Sequence, residues 1–279
     1  MRPIAERPGV QLDPTFVKSG GAFVLVGGGG AASETYLADI FQRFIALAGG
    51  SDAPLAVLTC ATRYPEQQAS RTGGFFREQG ANGVLTPLIR NRAEADDPAN
   101  AAQIRAARGI YLTGGDQSKY LNILSGTRCG DALGCAFHEG TAVLGGTSAG
   151  AMVVGDVMIA ASYDWVMQRR GVPLVRQGFG LLGTGVVLDT HFSQRRRIPR
   201  LMHVVRTLPG ILGIGLDEDT ALMIGADGQG EVLGAGCVYI FRSQNGRLKQ
   251  QAVRAGGRLD LAGRRATQDG LASSSLSVR

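Results

Sequence analysis

Largely apolar runs recur through the first half of the chain, at residues 22–26, 55–58, 84–88, 109–112 and 142–145, and each gives way to glycine or other turn residues. Between them lie segments with apolar positions at helical spacing. In residues 34–48 these are Leu37, Ile40, Phe41, Phe44, Ile45 and Ala48, and further helices are predicted over 66–79, 99–107, 118–124 and 131–139. Strands without polar alternation are buried on both faces, which is the signature of a parallel sheet covered by helices. The expectation is an α/β fold: a mainly parallel sheet with helices on both faces. Right-handed crossovers then place the carboxyl ends of the strands along one edge, where ligands bind. The second half continues with a strand at 185–188, a helix at 195–208 and a strand at 211–216, then an antiparallel finish from 221–224 through Val232, Val238 and Ile240. The stretch 162–178, with Trp165, Arg169, Arg170 and Arg176, reads as a surface loop or short helix forming a rim. No linker or repeat interrupts the pattern. One domain over residues 1–279 is expected, with an N-terminal arm at 1–20 and a flexible tail at 263–279.

One strand-to-helix junction carries chemistry. Gly146-Thr147-Ser148-Ala149-Gly150 is a G-x-S-x-G run between apolar segments. A strand that turns into a helix within a few residues forces the turning residue into a strained backbone, and only small neighbours fit around it. Such a nucleophile elbow presents the Ser148 hydroxyl at a strand end, with the N–H of Ala149 aimed where an oxyanion would form. A glycine-rich turn with an incidental serine would have the same letters, so the partners decide.

A serine needs a base, usually a histidine held by a carboxylate. Of three histidines, His138 and His203 fall within predicted helices, whereas His191 follows the strand at 185–188 and is the candidate base. Glu218, in Asp217-Glu218-Asp219 after the strand at 211–216, is the candidate orienting acid, although a solvated turn would have the same composition. Asp189 lies two residues before His191 on the same strand and cannot easily orient the ring. The order Ser, His, Glu differs from the α/β-hydrolases, whose acid precedes the histidine.

Composition narrows the alternatives. With 44% hydrophobic and 19% charged residues the chain has ample material for a core, which excludes disorder. The net charge of +6 is modest and resides in short arginine clusters, without a basic helix, an aromatic-interleaved sheet or zinc-finger spacing, so no nucleic-acid partner is expected. Cys60, Cys129, Cys135 and Cys237 form no C-x-x-C and read as buried free thiols. No metal site, cofactor, signal peptide or membrane segment is expected, and a cytoplasmic protein is. The glycines at 27–30 lack a P-loop Lys-Ser/Thr and read as a close crossing of the sheet edge in preference to a nucleotide site.

Taken together, Thr113-Gly114-Gly115-Asp116-Gln117, the run around Ser148, His191-Phe192-Ser193-Gln194-Arg195 and residues 213–221 resemble the cyanophycinases. These are serine peptidases grouped with aspartyl dipeptidase and folded like class I glutamine amidotransferases. The resemblance spans residues 22–240. It implies Ser148 as nucleophile, His191 as base and Glu218 as orienter, with a substrate pocket lined by Gln117, Asp189, Thr190, Arg195, Arg197 and Arg200. The N–H groups of Ala149 and Gly115 would hold the oxyanion. The implied substrate is cyanophycin, a polyaspartate bearing arginine on every side chain and released as β-aspartyl-arginine; a smaller aspartyl or isoaspartyl peptide is the alternative. The arginines would meet its carboxylates, and Asp189 and Gln117 would accept its guanidinium. Thr190 stands where glutamine is common in the family, and Arg196 where a small residue is usual. A homodimer is expected.

Overall fold

The computed structural model describes residues 15–16, 21–29, 33–160, 173–208, 210–244 and 246–261. In chain order the elements are β1 (Thr15–Phe16), β2 (Phe23–Val26), α1 (Ser33–Leu47), β3 (Leu55–Leu58), α2 (Pro65–Glu78), β4 (Val84–Leu85), α3 (Arg92–Ala95), α4 (Pro98–Ala106), β5 (Gly109–Leu112), α5 (Gln117–Leu124) and α6 (Arg128–His138). Then come β6 (Val143–Thr147), α7 (Ala149–Met152), β7 (Val157–Ile159), β8 (Val175–Gln177), β9 (Gly183–Thr184), β10 (Val186–Asp189) and α8 (Ile198–Thr207). The chain finishes through β11 (Leu212–Leu216), β12 (Thr220–Ile224), β13 (Gln229–Gly234), β14 (Cys237–Gln244), β15 (Arg247–Arg254) and β16 (Arg258–Asp260). Most of the rim expected at 162–178, the greater part of the N-terminal arm and the tail lie outside the described residues.

The fold is α/β, but its strands divide between two main sheets. An eight-stranded sheet has the order β16-β13-β12-β2-β6-β5-β3-β4, and a six-stranded sheet has the order β15-β14-β11-β10-β7-β8. Parallel pairing joins β2, β6, β5, β3 and β4 in the first and β7, β10 and β11 in the second, with antiparallel strands added outside them. The single edge expected from sequence is therefore two edges. Apolar runs encode burial but not which strand pairs with which, and the three residues between β11 and β12 carry the chain from one sheet into the other.

Side-chain alternation explains the layers. Val24, Val26, Leu55, Val57 and Tyr111 point to one face, where they meet Ile40, Phe41, Phe44 and Ile45 of α1 and Phe76 of α2. Their neighbours Phe23, Leu25, Ala56, Leu58, Ile110 and Leu112 point to the other, against Ile104 of α4, Leu121 and Leu124 of α5 and Leu133 and Phe137 of α6. Leu188 and Ile214 of the second sheet join that same core. The outer face of the second sheet, with Val187 and Phe241, is covered by Leu201, Val204 and Val205 of α8. Helix starts follow their caps: Asp97, Asp116 and Thr127 each accept a backbone N–H within the first turn of α4, α5 and α6.

Boundaries differ from expectation for identifiable reasons. β4 stops at Leu85, because Pro87 offers no N–H to continue a ladder. α3, capped by Asn91, is too short to show a period. α8 begins at Ile198 and not at Arg195, because the ring of Pro199 would clash with the carbonyl of residue 195 in a longer helix. Arg195, Arg196 and Arg197 consequently stand in the turn before it. Cys60 and Cys129 are buried free thiols as expected, with burial pushing Cys60 up to about 12, whereas Cys135 is exposed. No helix among the described residues is long and apolar enough to cross a membrane.

Glycines divide into those that the packing requires and those that it does not. A methyl on Gly150 would collide with the Leu112 carbonyl, and one on Gly146 would stand 2.7 Å from the Gly150 backbone. Gly134, inside α6, has nothing within 4 Å of such a methyl. Thermal unfolding followed by circular dichroism should therefore show Gly134→Ala shifted upward, by up to about 1 kcal/mol from helix propensity, and Gly150→Ala shifted downward. Equal shifts for the two would contradict this packing.

Candidate active site

Ser148 sits between β6 and α7 with φ 53° and ψ −116°. This is a sparsely populated backbone region for a residue with a side chain, and it is sustained only where the surroundings over-determine it. The flanking glycines explain how: at Gly146 and Gly150 the strand, the helix and β5 approach too closely for any side chain. The elbow expected from the sequence is formed. As the first residue of α7, Ala149 has no carbonyl four residues back within the helix to receive its N–H, which leaves that donor directed at the helix entrance.

The hydroxyl of Ser148 lies 2.9 Å from Nε2 of His191, and Nδ1 of His191 lies 2.6 Å from Oε1 of Glu218. A carboxylate only accepts, so Nδ1 carries the proton and Nε2 is left to accept from the serine. His191 is 7% exposed. His138 is exposed at the end of α6, and His203 is half-buried in α8. Of the three histidines the structure brings only His191 to Ser148.

The backbone explains why groups from two sheets meet. Three successive carbonyls at the end of β2 receive the chain at three points: Val26 accepts from the N–H of Ser148 at 3.0 Å, Gly27 from His191 at 2.7 Å and Gly28 from Asp219 at 2.8 Å. Gly27 also donates to the Thr220 carbonyl at 2.9 Å. No side chain fits at this crossing. A methyl on Gly28, whose φ is +116°, would land on the imidazole of His191, and one on Gly27 would strike the Asp217 carbonyl. The glycine run after β2, read from sequence as a close crossing, is the seat of that ring. Beneath His191 the fully buried Phe192 lies against Gly215, 5.2 Å from the ring of Tyr239 and 5.8 Å from that of Phe241, and anchors the turn.

The other expected residues fall into distinct places. Gly114 packs beside Ser148, where a methyl would stand 3.4 Å from the serine Cβ, and Gly115, with φ +142°, presses on the Ala61 carbonyl. Gln117 is buried, with Nε2 donating to the Ile159 carbonyl at 2.6 Å. Asp189 is wholly buried and faces the chain's own cations. Its Oδ2 accepts from Nε of Arg200 at 2.6 Å, its Oδ1 from Nη2 of Arg200 and, at 3.3 Å, from Nη1 of Arg197, and the Thr190 N–H adds a bond at 2.9 Å. The expectation that Asp189 would accept a ligand guanidinium is thus replaced, because its oxygens already serve two arginines. Thr190 is also fully buried and its hydroxyl has no hydrogen-bond partner, so it does not reach an open pocket; its carbonyl accepts from Arg197 at 2.8 Å. Arg195 is exposed, and Arg197 and Arg200 are half-buried. Sequence reasoning missed Asp217 and Gln194, whose contacts tie the two turns together; an acid directly before Glu218 was the available signal. Among the described residues no group of three or more His, Cys, Asp or Glu gathers to hold a metal.

Burial holds the His191 pKa below the ordinary histidine value, Glu218 opposes this, and the charges of Arg195 and Arg197 add to the lowering. Burial also lowers Arg197, to about 10, against the attraction of Asp189. The neutral imidazole therefore predominates at and above the ordinary histidine value of about 6.5. Because the folded value is depressed, this group's contribution to stability is present above about pH 6.5 and is lost as pH falls through the folded value. An NMR titration of the His191 Cε1 proton should give a pKa below about 6.5, shifted upward in Arg195→Gln and downward in Glu218→Gln. Added salt should shrink the Arg195 effect, since that side chain is exposed. Opposite shifts would contradict the charge arrangement.

The chain is similar to known proteins in sequence and in fold. The model of peptidase family S51 matches residues 23–231. A cyanophycinase of Synechococcus elongatus is 36% identical over 241 residues, covering 85% of this chain and 74% of its own. A cyanophycinase of Geminocystis herdmanii is 34% identical over 216 residues, covering 77% and 79%. In three dimensions the chain is similar to a peptidase from an acI-B1 Actinobacterium, with a TM-score of 0.67 at 24% identity, covering 89% of this chain and 98% of that one, which shows a common fold. With the family matched across both sheets and through the Ser148 elbow, the chain belongs to peptidase family S51 and is a serine-type peptidase.

Proposed function

We propose that the chain hydrolyses cyanophycin from an end through an acyl-enzyme, with Ser148 as nucleophile, His191 as base and Glu218 as the carboxylate that holds the imidazolium. The observation that carries the reading is the continuous hydrogen-bonded line from Ser148 through His191 to Glu218, at 2.9 and 2.6 Å. Attack of the Ser148 oxygen on an aspartyl backbone carbonyl transfers the hydroxyl proton to Nε2 of His191. The tetrahedral oxyanion takes hydrogen bonds from the N–H of Ala149 and of Gly115. Collapse breaks the C–N bond as His191 returns the proton to the leaving amine. Water, deprotonated by the same nitrogen, then releases the acyl group as a carboxylic acid and restores the serine.

Substrate choice is supported by charge and by the cyanophycinase relatives. Two guanidiniums share the Asp189 carboxylate, which leaves an excess of positive charge beside His191, and Arg195 adds to it. In this reading Asp189 orients Arg197 and Arg200, and these with Arg195 receive the α-carboxylates of the substrate's arginines. Thr190 acts through its backbone alone. In the same reading Gln117, whose Nε2 is held by the Ile159 carbonyl, offers its Oε1 to a substrate N–H.

Incubating the purified protein with cyanophycin granules, with Ser148→Ala beside it, and assaying the supernatant by mass spectrometry tests the proposal. Wild type should release β-aspartyl-arginine, and Ser148→Ala should lower the rate by about 10⁴-fold or more. Absence of dipeptide, with cleavage of small isoaspartyl or aspartyl peptides, would overturn the substrate and retain the mechanism. Equal turnover by Ser148→Ala would overturn the mechanism.

A further inference from the structure

We infer that Asp217 and Gln194 are positioning residues: without touching substrate, they hold the turn carrying His191 onto the turn carrying Glu218. The inference rests on the triad reading above. His191 has φ +47° and Asp219, next to Glu218, has φ +55°, so each turn contains a non-glycine residue in the left-handed region. Such residues are disfavoured by the approach of Cβ to the neighbouring carbonyl and hold only where the surroundings fix them. Neither turn has a reason to keep its shape alone.

The two turns fix one another. Phe192 N–H donates to the Leu216 carbonyl at 3.1 Å, Ser193 N–H to Oδ1 of Asp217 at 2.9 Å, and Glu218 N–H to Oε1 of Gln194 at 3.1 Å. The second oxygen of Asp217, Oδ2, accepts from the Cys237 N–H at 3.1 Å, and the Asp217 N–H returns a bond of 3.1 Å to the Cys237 carbonyl. One carboxylate, 4% exposed, thereby couples the histidine turn, the glutamate turn and β14. Gln194 closes the same seam from the solvent side, where it is exposed. His191 and Glu218 reach their 2.6 Å contact from different strands; the Gly27 and Gly28 carbonyls tie both turns to the end of β2, and this seam adds the direct link between them.

Asp217→Asn separates positioning from bulk. The amide has nearly the shape of the carboxylate but offers one acceptor and one donor, so its NH₂ must oppose one of the two backbone N–H groups and one bond of the seam is lost. Gln194→Ala removes the outer bond from an exposed position that the core does not depend on. Two readouts apply to the free protein. One is the far-downfield NMR proton of the short His191 to Glu218 hydrogen bond. The other is the rate at which a fluorophosphonate modifies Ser148. In Asp217→Asn the downfield signal should broaden or vanish and modification should slow by about 10–100-fold, the size of effect that misplacement near 1 Å produces; Gln194→Ala should slow it several-fold. A residue that merely stabilised the fold would lower the melting temperature and leave both readouts of the folded protein intact. If Asp217→Asn does not fold, Gln194→Ala decides. Wild-type rate and signal in the variants, with Ser148 of the wild type labelled, would overturn this inference alone. A wild type that takes no label would remove the triad reading and this inference with it.

Discussion

Three consecutive backbone carbonyls, those of Val26, Gly27 and Gly28, are the constraint on which the site depends. They receive the N–H groups of Ser148, His191 and Asp219, and so tie three segments from two sheets to one strand end. Side chains on flexible stems cannot set a line of hydrogen bonds to within a few tenths of an ångström unless their backbones are already placed. Here the placing is done by main-chain bonds, which are short and directional. It requires glycine because the imidazole of His191 and the Asp217 carbonyl occupy the volume that a Cβ would take at Gly28 and Gly27. A glycine-rich loop after the first core strand has here no need of a phosphate to explain it.

Strain and burial converge at the same place. Ser148, His191, Arg196 and Asp219 are the non-glycine residues with positive φ among the described residues, and all four lie in or beside the candidate site. Their unfavourable backbones are sustained by the rigid α/β layers around them. Electrostatics follow from the packing: burial keeps His191 neutral and able to take a proton, while Asp189, deep under the same strand end, gathers Arg197 and Arg200 into a cationic cluster with a deficit of carboxylates. The pairing of a neutral base with neighbouring cations suits an anionic substrate held next to a nucleophile.

Much of this was legible before any coordinates. Uninterrupted apolar runs located β2, β3, β5 and β6 because these are buried on both faces, and G-x-S-x-G located the elbow because its glycines answer a steric demand that sequence displays. Position at strand ends singled out His191 as the candidate base, whereas for Glu218 it left a solvated turn open beside the proposed orienting role. Less legible was anything decided by pairing across distance. The division into two sheets depends on register between strands far apart in sequence, and the start of α8 depends on a clash between Pro199 and the carbonyl of residue 195. The fate of Asp189 shows the limit well: an acid two residues before the base reads as a ligand contact, and only the fold reveals that Arg197 and Arg200 come back to occupy it. The role of Asp217 stayed hidden for a similar reason, since Ser193 lies in the histidine turn and Cys237 on β14, both distant in sequence.

A crystal structure of the protein soaked with a boronic acid analogue of an aspartyl peptide would test the central claim most directly, because boron takes the tetrahedral form of the attacked carbonyl. The account predicts a covalent bond from Oγ of Ser148 to boron, one boronate oxygen within hydrogen-bond distance of the Ala149 N–H, and Nε2 of His191 beside the adduct with its bond to Glu218 intact. Boron bonded to another residue, or an adduct on Ser148 with His191 turned away from Glu218, would contradict it.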